Sequence, residues 1–256
     1  MRNIWTIARK ELGAYFASPV GYTVLAIFGF IFGWMYFSSV AIFVEYSGRA
    51  QMGAQGMPPM NLNEFIIRPL LGNMGIVTLF LAPLITMRLF AEEKRSGTFE
   101  LLLTSPVRDF EIILGKWLGG MLLFGCMILV TLVNVGILFA FSTPDWKALL
   151  VGYLGVLLMG GVFMALGAFI STTTSNQIVA GAVTFGVFLL LWILDWATAF
   201  STSGVGKVAQ FIAIMPHFEQ FSKGVIELKN VVYYISAIAL GLFLTKRSLE
   251  SLRWRA

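Results

Sequence analysis

Five stretches of this chain carry no Asp, Glu, Lys or Arg: residues 12–44, 69–87, 117–144, 148–194 and 230–245. A bilayer core about 30 Å thick is crossed by roughly 20 helical residues, so most of these stretches can form one span and the fourth can form two. The last is short but usable. Only 12% of the 256 residues are charged and 58% are hydrophobic, whereas an ordinary soluble domain is about a quarter charged. Runs such as "VLAIFGFIFGWMYF" do not alternate polar and apolar residues, which argues against a closed β-barrel. The expectation is an all-α polytopic membrane protein, one domain over 1–256, with six spans near 20–44, 68–88, 112–141, 148–171, 178–200 and 230–246. The first apolar run is too long for a signal-peptide core and ends in "IFVEY", so it is read as a span.

Six spans put both termini on one side. Arg2, Arg9, Lys10, Arg88, Lys94, Arg95, Arg108, Lys116, Lys246, Arg247, Arg253 and Arg255 flank that side, against Arg49, Arg68, Lys147, Lys207, Lys223 and Lys229 on the other. The positive-inside rule then places the termini in the cytoplasm. The basic residues flank apolar spans, so a membrane surface explains the pI near 9.4 and no nucleic-acid partner is expected.

Ahead of the first span, Ile4, Trp5, Ala8, Leu12, Tyr15 and Phe16 recur at spacings of three and four. This predicts an amphipathic interfacial helix over 1–19, resting on membrane lipid and turned into the bilayer at Ser18-Pro19. The 45–68 connection, rich in Gly, Met and Pro, reads as a flexible external loop. Residues 201–229 are apolar yet interrupted at Pro216, which predicts two short re-entrant helices on the external side. Irregular backbone at that depth needs cover from protein or a wet cavity. Pro216, His217, Phe218 and Phe221 are the candidate external gate.

The residue inventory excludes most enzyme chemistry. His217 is the only histidine and Cys126 the only cysteine, so no His-rich or Cys-type metal site and no disulfide forms within one chain. No G-x-x-x-x-G-K-[ST] phosphate loop occurs, and ATP hydrolysis by this chain is not expected. The spans also lack the buried acids and histidines on which ion-driven transporters depend. Asp195 sits between Trp192 and Trp196, as in an aromatic belt at the outer interface. Asn134, with Thr131 one turn away, reads as interhelical hydrogen-bond glue.

"MRLFAEEKRSGTFELLLTSPV", residues 87–107, is polar and patterned between two long apolar tracts. Arg88 marks the end of the second span and Ala91 to Arg95 continue as a charged stalk. Ser96-Gly97 breaks the helix; Ser96 or Thr98 can cap a new one, with Phe99, Leu102 and Leu103 at i, i+3 and i+4 and Glu100 suited to the helix dipole. Pro106 ends it. A short amphipathic helix held between two spans is a docking element for a hydrophobic groove on a partner, or else rests on lipid.

"RLFAEEKRSGTFELLLTSPVRDFEIILGKWLG" resembles the segment after the second span in ABC-2 type permeases, with the pattern E-x-x-x-G-T-x-E-x-L-L-T-x-P. Glu93, Gly97, Thr98, Glu100, Leu102, Leu103, Thr104 and Pro106 fill it. "RKEL" at 9–12 resembles that family's N-terminal interfacial helix. "MPHFEQFSKGVIELKNVVYYIS" at 215–236 resembles the external stretch of its gliding-motility-associated branch.

The resemblance implies a bacterial inner-membrane permease subunit paired with a second one, as homo- or heterodimer, above two ATP-binding-cassette subunits. ATP and Mg would sit on those subunits, with no cofactor on this chain. Residues 98–105 would be the coupling helix, and an auxiliary external subunit is a further expected partner. The residues assigned to ATPase coupling are Glu92, Glu93, Lys94, Arg95, Gly97, Thr98, Phe99, Glu100, Leu101, Leu102, Leu103, Thr104 and Pro106. Gly29-x-x-x-Gly33 and Gly115-x-x-x-Gly119 are small-residue motifs for close helix approach; the family's use of its first span in the dimer favours Gly29 and Gly33 as that contact. Two readings of function stay open: an exporter permease, and a non-transporting anchor or mechanical transmitter between a cytoplasmic ATPase and a periplasmic partner. An intramembrane enzyme would need paired catalytic groups in the spans.

Overall fold

The stretch "VGYLGVLLMGGVFMALGAF" supplies the axis of the molecule, because its glycines let neighbouring helices approach bare backbone. A Cβ on Gly160 would collide with the Phe124 ring, and one on Gly167 with the Thr86 side chain. The computed structural model describes residues 2–51, 61–99, 107–198 and 204–253, all helical elements and their connections, with no strand among the described residues.

In chain order the helices are α1 (Arg2–Ala17), α2 (Pro19–Gln51), α3 (Arg68–Thr86, entered through a π-helical turn at Asn63–Ile67), α4 (Ala91–Ser96) and α5 (Asp109–Phe141). Then follow α6 (Trp146–Thr173), α7 (Gln177–Thr198), α8 (Gly204–Ile212), α9 (Met215–Ser222) and α10 (Leu228–Arg253). Six of them, α2, α3, α5, α6, α7 and α10, belong to segments long and apolar enough to cross a membrane. The chain therefore has two ends. One carries α1, α4 and the α6–α7 turn; the other carries the α5–α6 turn, α8 and α9.

Burial separates an inner pair from an outer set. In the most apolar window of each segment, 72% of residues are buried for α3 and 67% for α6, but only 11%, 17% and 22% for α2, α7 and α10. The outer helices show apolar side chains outward, as Phe30, Trp34 and Phe37 do on α2. In water such a surface would be unstable; in lipid it is the solvated face.

Six helices long and apolar enough to cross a membrane fall where the six spans were predicted, with shifted boundaries. α2 continues past residue 44 to Gln51, its last turn carrying a Glu45–Arg49 pair, so part of the predicted 45–68 loop is helical; residues 52–60 lie outside the described set. α3 stops at Thr86 rather than 88 and is followed by a turn at 87–90. The predicted helix pair between the last two spans is present as α8 and α9. The interruption falls at Ala213 and Ile214, with Pro216 in the first turn of α9, where its missing N–H is harmless.

Candidate coupling site

At the end carrying α4, the close approach of two helices creates an unusual charge cluster. α1 crosses the start of α5 so closely that a Cβ on Gly115 would lie 2.6 Å from Ile7 Cβ, and one on Gly119 would lie 2.5 Å from Glu11 Cβ. Gly115-x-x-x-Gly119 is therefore a contact within the chain. Lys116, between these glycines, is driven into the packed seam and is 1% exposed. Its Nζ lies 2.9 Å from Glu11 Oε1 and 2.9 Å from Glu93 Oε1. The ammonium also stands 5.2 Å from the centre of the Phe90 ring. One cation thus ties the N-terminal helix, the third span and α4 together, and Glu93 Oε2 is left buried without a hydrogen-bond partner among the described residues.

A second set of bonds fixes the start of α4. The N–H groups of Phe90 and Ala91 donate to Ser171 Oγ at 3.0 Å each, and that hydroxyl donates to Met87 O at 3.1 Å. Ser171 thereby satisfies backbone groups freed when α3 ends early. Lys94 Nζ donates to Thr172 O, and Thr172 Oγ1 donates to Ser248 on α10. Arg88 donates two bonds to the Glu92 carboxylate, at 2.7 and 2.9 Å, and a third to Ser18 Oγ at 2.8 Å. Tyr15 O–H donates to Ile85 O at 2.8 Å; burial, the leading cause, pushes that phenol well above its ordinary pKa.

The predicted coupling residues are only partly where the sequence put them. Glu92, Glu93 and Lys94 do not form a free charged stalk; all three side chains are half-buried and bonded to this chain. Glu93 is held by Lys116 and Lys94 by Thr172 O, both on other helices and invisible to local pattern, while Glu92 is held by Arg88 four residues earlier. Phe99 departs from the outward stripe as well: it is 9% exposed, packed in a second apolar cluster with Leu89, Phe90, Ile112, Ile113 and Leu249, under Lys94 Nζ. Arg95, Gly97 and Thr98 are exposed. Gly97 has φ 73°, the left-handed conformation that ends α4 and frees the chain to turn. Glu100, Leu101, Leu102, Leu103, Thr104 and Pro106 lie outside the described residues.

Of the other candidates, Phe218 and Phe221 are 2% and 0% exposed, with Phe221 Cβ 2.5 Å from where a Gly155 Cβ would be. His217 is buried, stacked 3.8 Å from Tyr233, with Nδ1 2.8 Å from Asn230 Oδ1 and Nε2 3.0 Å from Phe211 O. Pro216 is half-buried. These residues pack α9 against α6 and α10 at the end opposite α4. A Cβ on Gly29 would meet Val130 of the same chain at 3.2 Å, whereas Gly33 has no neighbour within 4 Å. Thr131 bonds Tyr153 O–H at 2.7 Å, so this hydroxyl pair joins α5 to α6, and Asn134 stays half-buried beyond it. Sequence reasoning missed Lys116, Glu11 and Ser171. The signal for Lys116 was present in the glycines on either side of it.

Comparison with known proteins bears on what this arrangement serves. Residues 5–244 match the model of the ABC-2 family transporter proteins. Among curated proteins the chain is similar to the probable ABC transporter permease protein NosY of Pseudomonas aeruginosa, at 27% identity over 204 residues covering 76% of this chain and 68% of that one. It is similar to the protein of the same description from Stutzerimonas stutzeri, at 29% identity over 214 residues, covering 76% and 69%. With a match running through all six apolar segments, this multi-pass membrane protein belongs to the ABC-2 family of transporter proteins.

Proposed function

We propose that the chain is the permease subunit of an ABC-2 type exporter in a bacterial inner membrane, with both termini cytoplasmic, driven by ATP hydrolysed on a separate pair of ATP-binding subunits. The observation that carries this reading is the anchoring of α4. A docking segment transmits force only if its base is stiff, and here the base is tied to α1, α5, α6 and, through Thr172, α10. The exposed run Arg95 to Thr98 then leads into Glu100–Thr104, the segment we assign to the groove of the ATPase. Movement of that segment reaches α5 directly through the Glu93–Lys116 pair.

A second permease subunit would meet the outward face of α2, where Phe30, Gly33, Trp34 and Phe37 fall at i, i+3, i+4 and i+7 and Gly33 has open space above it. The α8–α9 wedge would be the outer closure, and an auxiliary subunit would dock there. The likeness of residues 215–236 to the external stretch of the gliding-motility-associated branch supports assigning the chain to that branch.

The test is a complex reconstituted with its ATP-binding subunit in proteoliposomes. Glu100→Lys with Leu102→Asp is expected to insert normally and to lose both ATPase association and ATP-dependent efflux of labelled lipid or glycan. Full association in that variant would refute the docking assignment. ATPase stimulation without flux of any cargo would instead favour a mechanical transmitter.

A further inference from the structure

Two cavities meet at the end opposite α4. One, of about 310 Å³, has Lys207, Gln210, His217, Gln220, Lys229 and Asn230 in its lining beside Phe211 and Pro216. The other, of about 700 Å³, is an apolar groove between α7 and α10, with Val162 and Leu166 of α6 as its floor and Val187, Leu191, Val232 and Leu240 on its walls. Phe211 and Lys229 line both. The groove runs along two spans and opens on the face that lipid solvates; the first cavity sits where those spans end.

We infer that the two form one binding site for an anionic phospholipid, with an acyl chain in the α7–α10 groove and the phosphate among Lys207, Lys229 and the amides of Gln210 and Gln220. Each volume lies in or near the range of ordinary ligand pockets, about 300–1,000 Å³. The shape is that of an amphiphile, with a compartment lined by lysines and amides adjoining an apolar one. The charge favours an anion: Lys207 is exposed, and Lys229, with a 71% exposed side chain, has Glu227 at 2.8 Å as its ion-pair partner among the described residues. An exposed pair of that kind contributes little, so a phosphate can take Lys229 from it. The walls are preorganised, since Tyr233 donates to Ile212 O at 2.6 Å and stacks on His217. This site does not depend on the ATPase reading.

Native mass spectrometry of the full chain in detergent, titrated with phosphatidylglycerol or phosphatidylcholine of the same acyl length, tests it. Phosphatidylglycerol is expected to be retained at roughly thirtyfold lower concentration, the order expected of two surface lysines. Lys207→Gln with Lys229→Gln is expected to abolish that preference, and Val232→Trp, which fills the exposed wall of the groove, to weaken retention of both lipids. Equal retention of the two lipids by the unmodified chain overturns the proposal, as does a preference that survives the double variant. Competition by free glycerol phosphate as effective as the lipid would show a headgroup site alone. A Ser236→Cys chain in a Cys126→Ala background that forms a disulfide with a second copy would show that protein, and not lipid, fills the groove.

Discussion

Lys116 faces two carboxylates and a ring, with 2% of its side chain exposed. Removing one partner of a buried ion pair commonly costs about 3–5 kcal/mol, because the charge left behind is uncompensated. Lys116→Met leaves Glu11 and Glu93 facing each other and is expected to lose stability on that order. Glu11→Gln keeps the Lys116–Glu93 pair and should cost far less. Thermal unfolding of the two purified variants checks this, and equal losses would mean the cluster is not a unit. At the opposite end Glu219 is held below the usual carboxylate range, first by its hydrogen bond to Lys223 and also by Arg68. A depressed carboxylate contributes stability that is fully present above its unfolded value of about 4.3 and is lost as pH falls through the lower folded value. Glu219→Gln should therefore be less stable than the parent at pH 7, with the gap closing below about pH 4. A gap independent of pH would show that the carboxylate charge contributes nothing.

Among the elements, α4 depends most on its surroundings. A helix of six residues is too short to stand alone in water, and Ser171 completes its backbone bonding. Ser171→Ala strands two buried N–H groups, each worth about 1–3 kcal/mol, and is expected to raise hydrogen exchange at Phe90 and Ala91 at least tenfold while α6 itself stays protected. Unchanged exchange would show that α4 holds without it. The break at Gly97 was legible in the sequence because a left-handed helix end is local chemistry. The early end of α3 was not, since it is fixed by a hydroxyl about 80 residues away in the chain. The same distinction explains α1. Its apolar periodicity was plain, but Trp5, placed on the stripe, is 59% exposed, while Ile7, left off it, packs on Gly115. Which part of a stripe is covered is decided by the neighbour's shape.

At the scale of the whole molecule, the six spans could be read from charge-free runs because a bilayer imposes a single length on them. The hub role of α6 could not, since α6 and α7 are almost equally apolar and differ only in how closely their neighbours approach. The window of α6 is 67% buried against 17% for α7, and along α6 Gly152, Gly160 and Gly167 lie against Leu71, Phe124 and Thr86. If the outer face of α2 meets the second subunit proposed above, Gly33→Cys in a Cys126→Ala background is expected to form an intersubunit disulfide, and Gly29→Cys, facing Val130, is not. Crosslinking at Gly29 alone would reverse the face.

The central claim is that the segment beyond Gly97 hangs on an anchored base and engages a separate motor. Thr98 is exposed next to that base, so Thr98→Cys in the Cys126→Ala background tests it most directly. In inverted and right-side-out vesicles containing the whole complex, the thiol introduced by Thr98→Cys is expected to react with an impermeant maleimide only from the ATPase side and to crosslink to the ATP-binding subunit. Labelling from the opposite side, or an ATP-binding subunit that crosslinks to Lys207→Cys and never to Thr98→Cys, would contradict it.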